Sequence, residues 1–181
     1  MCMIVDANVI PCVFSSKNSK HDDFRPVLKW LLYSRAKIIL GGKLYTKEIV
    51  EKQKSYVPLM LELRKFNKIH FIDNDLVNTK EKEINDKESD PDFDDPHIIA
   101  LSILSKAKII CSDDSRSFKF IKKMKEYDSD CVMPKIYTSV DHSPHTEMLC
   151  DENICSNGEH KILEKSIADK LWEKIEGTNN S

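Results

Sequence analysis

Glycine is scarce in this 181-residue chain, at four residues, and none stands in a Gly-rich turn of the kind that cradles a nucleotide phosphate. Phosphate-loop and dinucleotide-binding chemistry is thereby excluded. Long apolar runs are missing too, since nothing approaches the roughly 18 uninterrupted apolar residues of a membrane helix. There is no internal repeat and no heptad run, which removes solenoids and coiled coils. Neither sign of charge dominates: the formal net charge is -2, so any grip on nucleic acid has to come from a local basic rim. The N-terminal run lacks a signal-peptide pattern, because Asp6 interrupts it early and no basic segment precedes it. A cytoplasmic protein with no membrane association is expected. Its six cysteines then read as thiols, with Cys2, Cys12 and Cys111 in apolar surroundings where a thiol packs as a small hydrophobe.

What is present is enough for one well-buried core, with 40% hydrophobic and 32% charged residues. Short apolar runs predict strands in the stretch opening at Met3, at 37–40, 68–72, 108–111 and 135–137. Helical spacing predicts helices over 7–14, 23–35, 43–54, 56–66, 75–84, 96–106, 115–126 and 160–176. Gly41-Gly42 breaks the second strand, and the charged stretch from Asp73 to Asp94 reads as an exposed helix followed by a mobile acidic loop. Strand and helix alternate through short links, so the expected fold is a three-layer α/β/α sandwich around a parallel sheet of four to five strands. The main domain is expected over 1–140, and a C-terminal extension with a terminal helix over 141–181.

The chemistry centres on Asp6, which ends a buried strand where open α/β sheets place their sites. Asp114 leaves a second strand the same way, and Glu48 and Asp95 reach the same crevice from helix starts. Each has an ordinary alternative: Asp6, Asp95 and Asp114 as helix caps, Glu48 as a partner of Lys52. Together they form a set that repels itself unless a divalent cation neutralises it. Oxygen-only ligands select Mg2+ or Mn2+, and a cation of that kind activates water toward a phosphodiester. The acids are doubled at Asp94-Asp95 and Asp113-Asp114, and Glu51 lies one turn beyond Glu48, so three of the four ligand positions carry an alternative.

In Ile4-Val5-Asp6-Ala7-Asn8-Val9, Gly42-Lys43-Leu44-Tyr45-Thr46-Lys47-Glu48, Asp95-Pro96-His97-Ile98-Ile99-Ala100-Leu101 and Ile109-Ile110-Cys111-Ser112-Asp113-Asp114, the chain resembles the PIN-domain family of metal-dependent ribonucleases over about residues 3–140. The resemblance implies that Asp6, Glu48, Asp95 and Asp114 are both the catalytic and the metal-binding quartet, holding Mg2+ or Mn2+. Asn8 and Ser112 are implied as supports. The helix-capping position favours Asp95 over Asp94, and the Ser112-x-Asp114 spacing favours Asp114 over Asp113. The implied reaction is endonucleolytic hydrolysis of RNA by in-line attack of water on phosphorus, leaving 5′-phosphate and 3′-hydroxyl ends. Implied roles are the toxin of a toxin–antitoxin pair or a defence or RNA-processing nuclease, with an antitoxin or other protein inhibitor and a homodimer as partners.

For substrate grip the expected residues are Arg116 and Lys119, on the helix after Asp114, and Lys43, with Lys47, Lys17 and Lys20 as further rim positions; a solvated helix face is the competing reading. In the tail, His142, His145, Cys150, Cys155 and His160 are loosely spaced like zinc ligands, against a reading as ordinary loop residues. Two other functions compete with the nuclease. A catalytically silent scaffold would bind RNA or protein, and an aspartyl phosphotransferase would need a second Asp where Asn8 stands.

Overall fold

Five short strands, β1 (Cys2–Val5), β2 (Lys37–Gly41), β3 (Ile69–Ile72), β4 (Ile109–Cys111) and β5 (Lys135–Tyr137), form one sheet in the order β3-β2-β1-β4-β5. Every pairing is parallel. The computed structural model describes residues 2–139, 145–153 and 161–177. Nine α-helices lie among them: α1 (Ile10–Phe14), α2 (His21–Tyr33), α3 (Lys43–Lys52), α4 (Val57–Lys65), α5 (Asn74–Asn85), α6 (Pro96–Ser105), α7 (Phe118–Lys122), α8 (Met124–Tyr127) and α9 (Lys165–Glu176).

Parallel strands need crossovers, and crossovers are right-handed, so the strand order dictates the layers. From β1 the chain steps outward through β2 to β3, then returns past β1 to add β4 and β5 on the other side. The outward and returning connections therefore fall on opposite faces, and the α/β/α sandwich expected from the sequence is the one observed. Burial on both faces explains why β4, and β2 after Lys37, are apolar without alternation, and why both are buried throughout. Helix α6 packs across β1, β2 and β3, with α5 along its flank, and it is buried at nearly every residue.

The reversal of strand order falls between β1 and β4, which makes that junction the topological switch point. Val5 is level with Cys111 in the ladder, so the next residues on each strand, Asp6 and Ser112, emerge side by side. The Asp6 N–H still reaches back to the Cys111 carbonyl at 2.9 Å.

One glycine aims α3. Gly42 has φ +82° at the residue before the helix, and a side chain on it would meet Val77 Cγ1 at 2.7 Å. α3 can leave the tip of β2 at this angle because the position has no Cβ.

Some expected boundaries move. The first helix begins as a 3-10 turn over Ala7–Val9 before α1. The single helix expected over 115–126 is two, α7 and α8, separated at Lys123, and it starts later because residues 114–117 are held in a turn. Helix α9 rests on α2: Tyr33 Oη donates to Asp169 at 2.8 Å, and Arg25 Nε donates to Glu176 at 2.9 Å. Cys12, Cys111, Cys131 and Cys150 are free thiols. No helix among the described residues is long and apolar enough to cross a membrane. His142, Cys155 and His160 of the zinc expectation lie outside the described residues.

Candidate metal centre

A cleft of about 500 Å³ opens at the switch point, lined by Asp6, Ala7, Asn8, Glu48, Lys52, Gln53, Asp94, Asp95, Asp114 and Arg116. Asp6 forms its floor. The residue is 6% exposed, its Oδ2 accepts from Ser112 Oγ at 2.7 Å, and its Oδ1 accepts a long 3.4 Å bond from the Asn8 backbone N–H. Burial raises the Asp6 carboxyl above its ordinary pKa, and those two hydrogen bonds hold the rise in check. A capping role is thus present at Asp6 but weak. Ser112 also accepts from the Asp114 N–H at 3.2 Å, so one hydroxyl joins the two strand ends.

Asp95 stands at the residue before α6, yet its side chain makes no capping hydrogen bond. The ordinary explanation of this acid fails, and the carboxylate faces the cleft instead. Burial, and next to it the charge of Asp6, push its pKa from 3.8 up to about 6. Asp94, Asp95 and Asp114 each bring an oxygen to within 4.8 Å of the others. Opposed oxygens around an octahedral Mg2+ lie about 4.2 Å apart, so this spacing needs little closure to meet a hard cation.

The two doubled acids separate in space. Asp113 turns away from the cleft: it accepts from Ser139 Oγ at 2.6 Å, Ser139 N at 3.1 Å and Thr138 Oγ1 at 3.0 Å, and it pairs with Lys20. Burial works to raise its pKa, but these donors outweigh it and leave the group at about 2. Asp114 joins the cleft, where Arg116 grips it with two bonds, Nε at 3.1 Å and Nη2 at 2.7 Å. That guanidinium draws the Asp114 carboxyl below its ordinary pKa and also reaches Asp94 at 3.2 Å.

Glu48 divides its oxygens. Oε1 takes Lys52 Nζ at 2.8 Å, while Oε2 faces His97 Nε2 at 3.5 Å. His97 first, and Lys52 after it, pull the Glu48 carboxyl down to about 2. The pairing with Lys52 expected of a solvated helix residue is present, but Glu48 is also a wall of the cleft. Glu51 is exposed and does not line it.

The basic residues are distributed differently from the expected grip. Arg116 is in the cleft, bound to two of its acids. Lys119 lies outside the lining and pairs with Asp90 at 2.8 Å and Asp92 at 3.2 Å. Lys43 is largely exposed, with Asp75 3.7 Å away. Lys52 lines the cleft without having been singled out as a substrate contact.

Three contributors had no assigned role in the sequence reading. Tyr45 is fully buried and donates its hydroxyl to the Val5 carbonyl just before Asp6, and Gln53 Nε2 donates to the Ala7 carbonyl at 3.0 Å just after it. His97 is 1% exposed, and neither ring nitrogen has a hydrogen-bond partner. The available signal for His97 was a polar residue on an otherwise apolar helix, two positions after Asp95.

The donor set fits a hard divalent cation: it is all oxygen, two of its members are pushed up in pKa by burial, and a buried imidazole faces it unpartnered. Fold and cleft together define an α/β/α protein with an acidic cluster at its switch point. That combination is consistent with a PIN-like fold and with a nuclease-type, metal-dependent site. No family model matches the chain, and no match was found among curated proteins or solved structures.

Proposed function

We propose that this protein is an Mg2+- or Mn2+-dependent endoribonuclease of PIN type. The observation that carries the reading is convergence: Asp6, Glu48, Asp95 and Asp114, from four separate stretches of chain, line one cleft. A divalent cation, when bound, supplies Lewis acidity toward the phosphate and lowers the pKa of a water. Asp94, Asp95 and Asp114, whose oxygens lie within 4.8 Å of one another, would hold it, with Asp6 at the floor and Glu48 on the wall. Ser112 keeps Asp6 oriented through its 2.7 Å bond. Lys52 and Arg116 are the cations at the cleft placed to meet a phosphate, a contact blind to sequence.

The test is labelled RNA incubated with wild type and Asp6→Asn in Mn2+, Mg2+ and EDTA. Cleavage by wild type in metal, leaving 5′-phosphate and 3′-hydroxyl ends, with none in EDTA or from the variant, is the expected result. Equal turnover in chelator would overturn the reading. Arg116, already neutralising Asp94 and Asp114, favours a second reading as a silent RNA-binding scaffold. RNA bound but uncut in every divalent metal would select it. As partners the proposal includes a protein inhibitor of antitoxin type and a second copy of the chain, checked by co-purification and by light scattering.

A further inference from the structure

His97 is buried among apolar residues at a cost. An imidazole with both nitrogens unpartnered forfeits its hydration without replacement, and a buried polar atom in that state is destabilising. Its packing is otherwise good: the ring stacks on Tyr45 at 5.9 Å between centroids, and Phe would fill the same space. Its placement is specific. Nε2 lies 3.5 Å from Glu48 Oε2 and 4.0 Å from Asp95 Oδ1, distances at which charges couple but no hydrogen bond has closed. Tyr45, against which the ring rests, is bonded to the Val5 carbonyl beside Asp6. The imidazole thus touches, directly or through one neighbour, the supports of three acids that come from different elements.

We infer that His97 is a positioning residue of the metal centre, whose Nε2 draws the Glu48 and Asp95 carboxylates inward and holds them toward the ion. The inference rests on the metal-dependent reading of the cleft. Glu48 makes the reasoning concrete. Its other oxygen is held by Lys52, one turn on along α3 and 67% exposed at the rim of the cleft. Without the imidazole, the pair with Lys52 is the restraint that remains, and Oε2 loses the neighbour 3.5 Å away that fixes its direction. Groups that orient ligands in this way are worth about 10- to 100-fold in metal affinity.

The experiment is Mn2+ binding by calorimetry, with electron paramagnetic resonance of the bound ion, on wild type, His97→Phe and His97→Gln. Melting in EDTA is measured alongside. His97→Phe is expected to bind Mn2+ at least tenfold more weakly with little change in melting, because relief of two nitrogens without hydrogen bonds offsets the lost charge coupling to Glu48. His97→Gln, whose amide reaches the Nε2 position, is expected to regain much of the affinity. A structural role moves melting and binding together, so a variant that loses both, without rescue by Gln, overturns the inference. Equal Mn2+ affinity in wild type and His97→Phe overturns the inference and leaves the metal reading standing. No Mn2+ binding by wild type overturns both. Should His97→Phe fail to fold, nitrogen NMR of the wild-type ring decides: a shift of Nε2 on adding Mg2+ supports the role, and an unmoved signal refutes it.

Discussion

Replacing Asp95 by Asn isolates the electrostatic cost of assembling the acidic cleft. The amide keeps the shape of the side chain and removes its charge, and no capping bond is lost because Asp95 makes none. The folded carboxyl titrates at about 6 against an ordinary 3.8, raised by burial and then by Asp6. At about 1.36 kcal/mol per unit, the ionised group costs the folded state up to about 3 kcal/mol at neutral pH. The side chain is 22% exposed, so little of this is lost to solvent screening. The folded protein keeps the Asp95 proton until about pH 6, whereas the unfolded chain releases it near 3.8. Stability from this group is therefore complete below the lower value and is lost as the pH rises through the upper one. Asp95→Asn should match wild type at the acid end and exceed it by up to about 3 kcal/mol at pH 7.5, about 6–12 °C in Tm for a chain of this size. Urea unfolding followed by circular dichroism, in EDTA at a series of pH values, measures the gap. Mn2+ at about a thousand times Kd should reverse the order, adding about 4.1 kcal/mol to wild type and little to the variant. Equal stability at pH 7.5, or a gap that does not change with pH, would refute the reasoning.

Three further perturbations separate the remaining groups. Asp113→Asn should lower stability at pH 7 by about 2 kcal/mol, since the folded carboxyl sits at about 2 against 3.8, and leave Mn2+ affinity alone. That contribution is present above pH 4 and lost as the pH falls toward 2, so urea midpoints at pH 7 and pH 3 should converge on wild type at the lower value. Arg116→Ala should leave the urea midpoint nearly unchanged, because the guanidinium is 60% exposed. The same change should tighten Mn2+ binding about tenfold by removing a positive charge beside a divalent ion; unchanged or weaker binding in calorimetry would count against it. Gly42→Ala should cost about 1–3 kcal/mol, through its positive φ and the 2.7 Å approach to Val77, and an unshifted urea midpoint would show that α3 is not aimed there.

The layer order, and the meeting of Asp6, Glu48, Asp95 and Asp114 in one cleft, were legible because local signals sufficed for them. Alternation of buried strands with amphipathic helices predicts a parallel sheet, and acids at strand tips converge wherever such a sheet reverses direction. What depended on distant partners was not legible. Lys119 has the spacing of a substrate contact, but Asp90 and Asp92, far off along the chain, hold it. The expected helix over 115–126 is shortened by Asp114, whose side chain accepts from the Arg116 N–H at 3.0 Å and whose carbonyl accepts from Ser117 Oγ at 2.8 Å. Asp95 was favoured over Asp94 for a capping bond that the folded chain does not make. Both acids line the cleft, and it is the exposed Asp94 that shares Arg116 with Asp114. Propensity has no means of showing where a side chain ends up once its helix is docked.

The hydroxyl of Ser112 donates a hydrogen bond to Asp6 and accepts one from the backbone N–H of Asp114, so a single oxygen rivets the tips of two neighbouring strands. The base of the cleft is accordingly stiff, with both carboxylates indexed to the central sheet. Were a divalent ion bound, adjustment to its radius would fall to the carriers around that base, α3 under Glu48 and the segment ahead of α6 under Asp94 and Asp95.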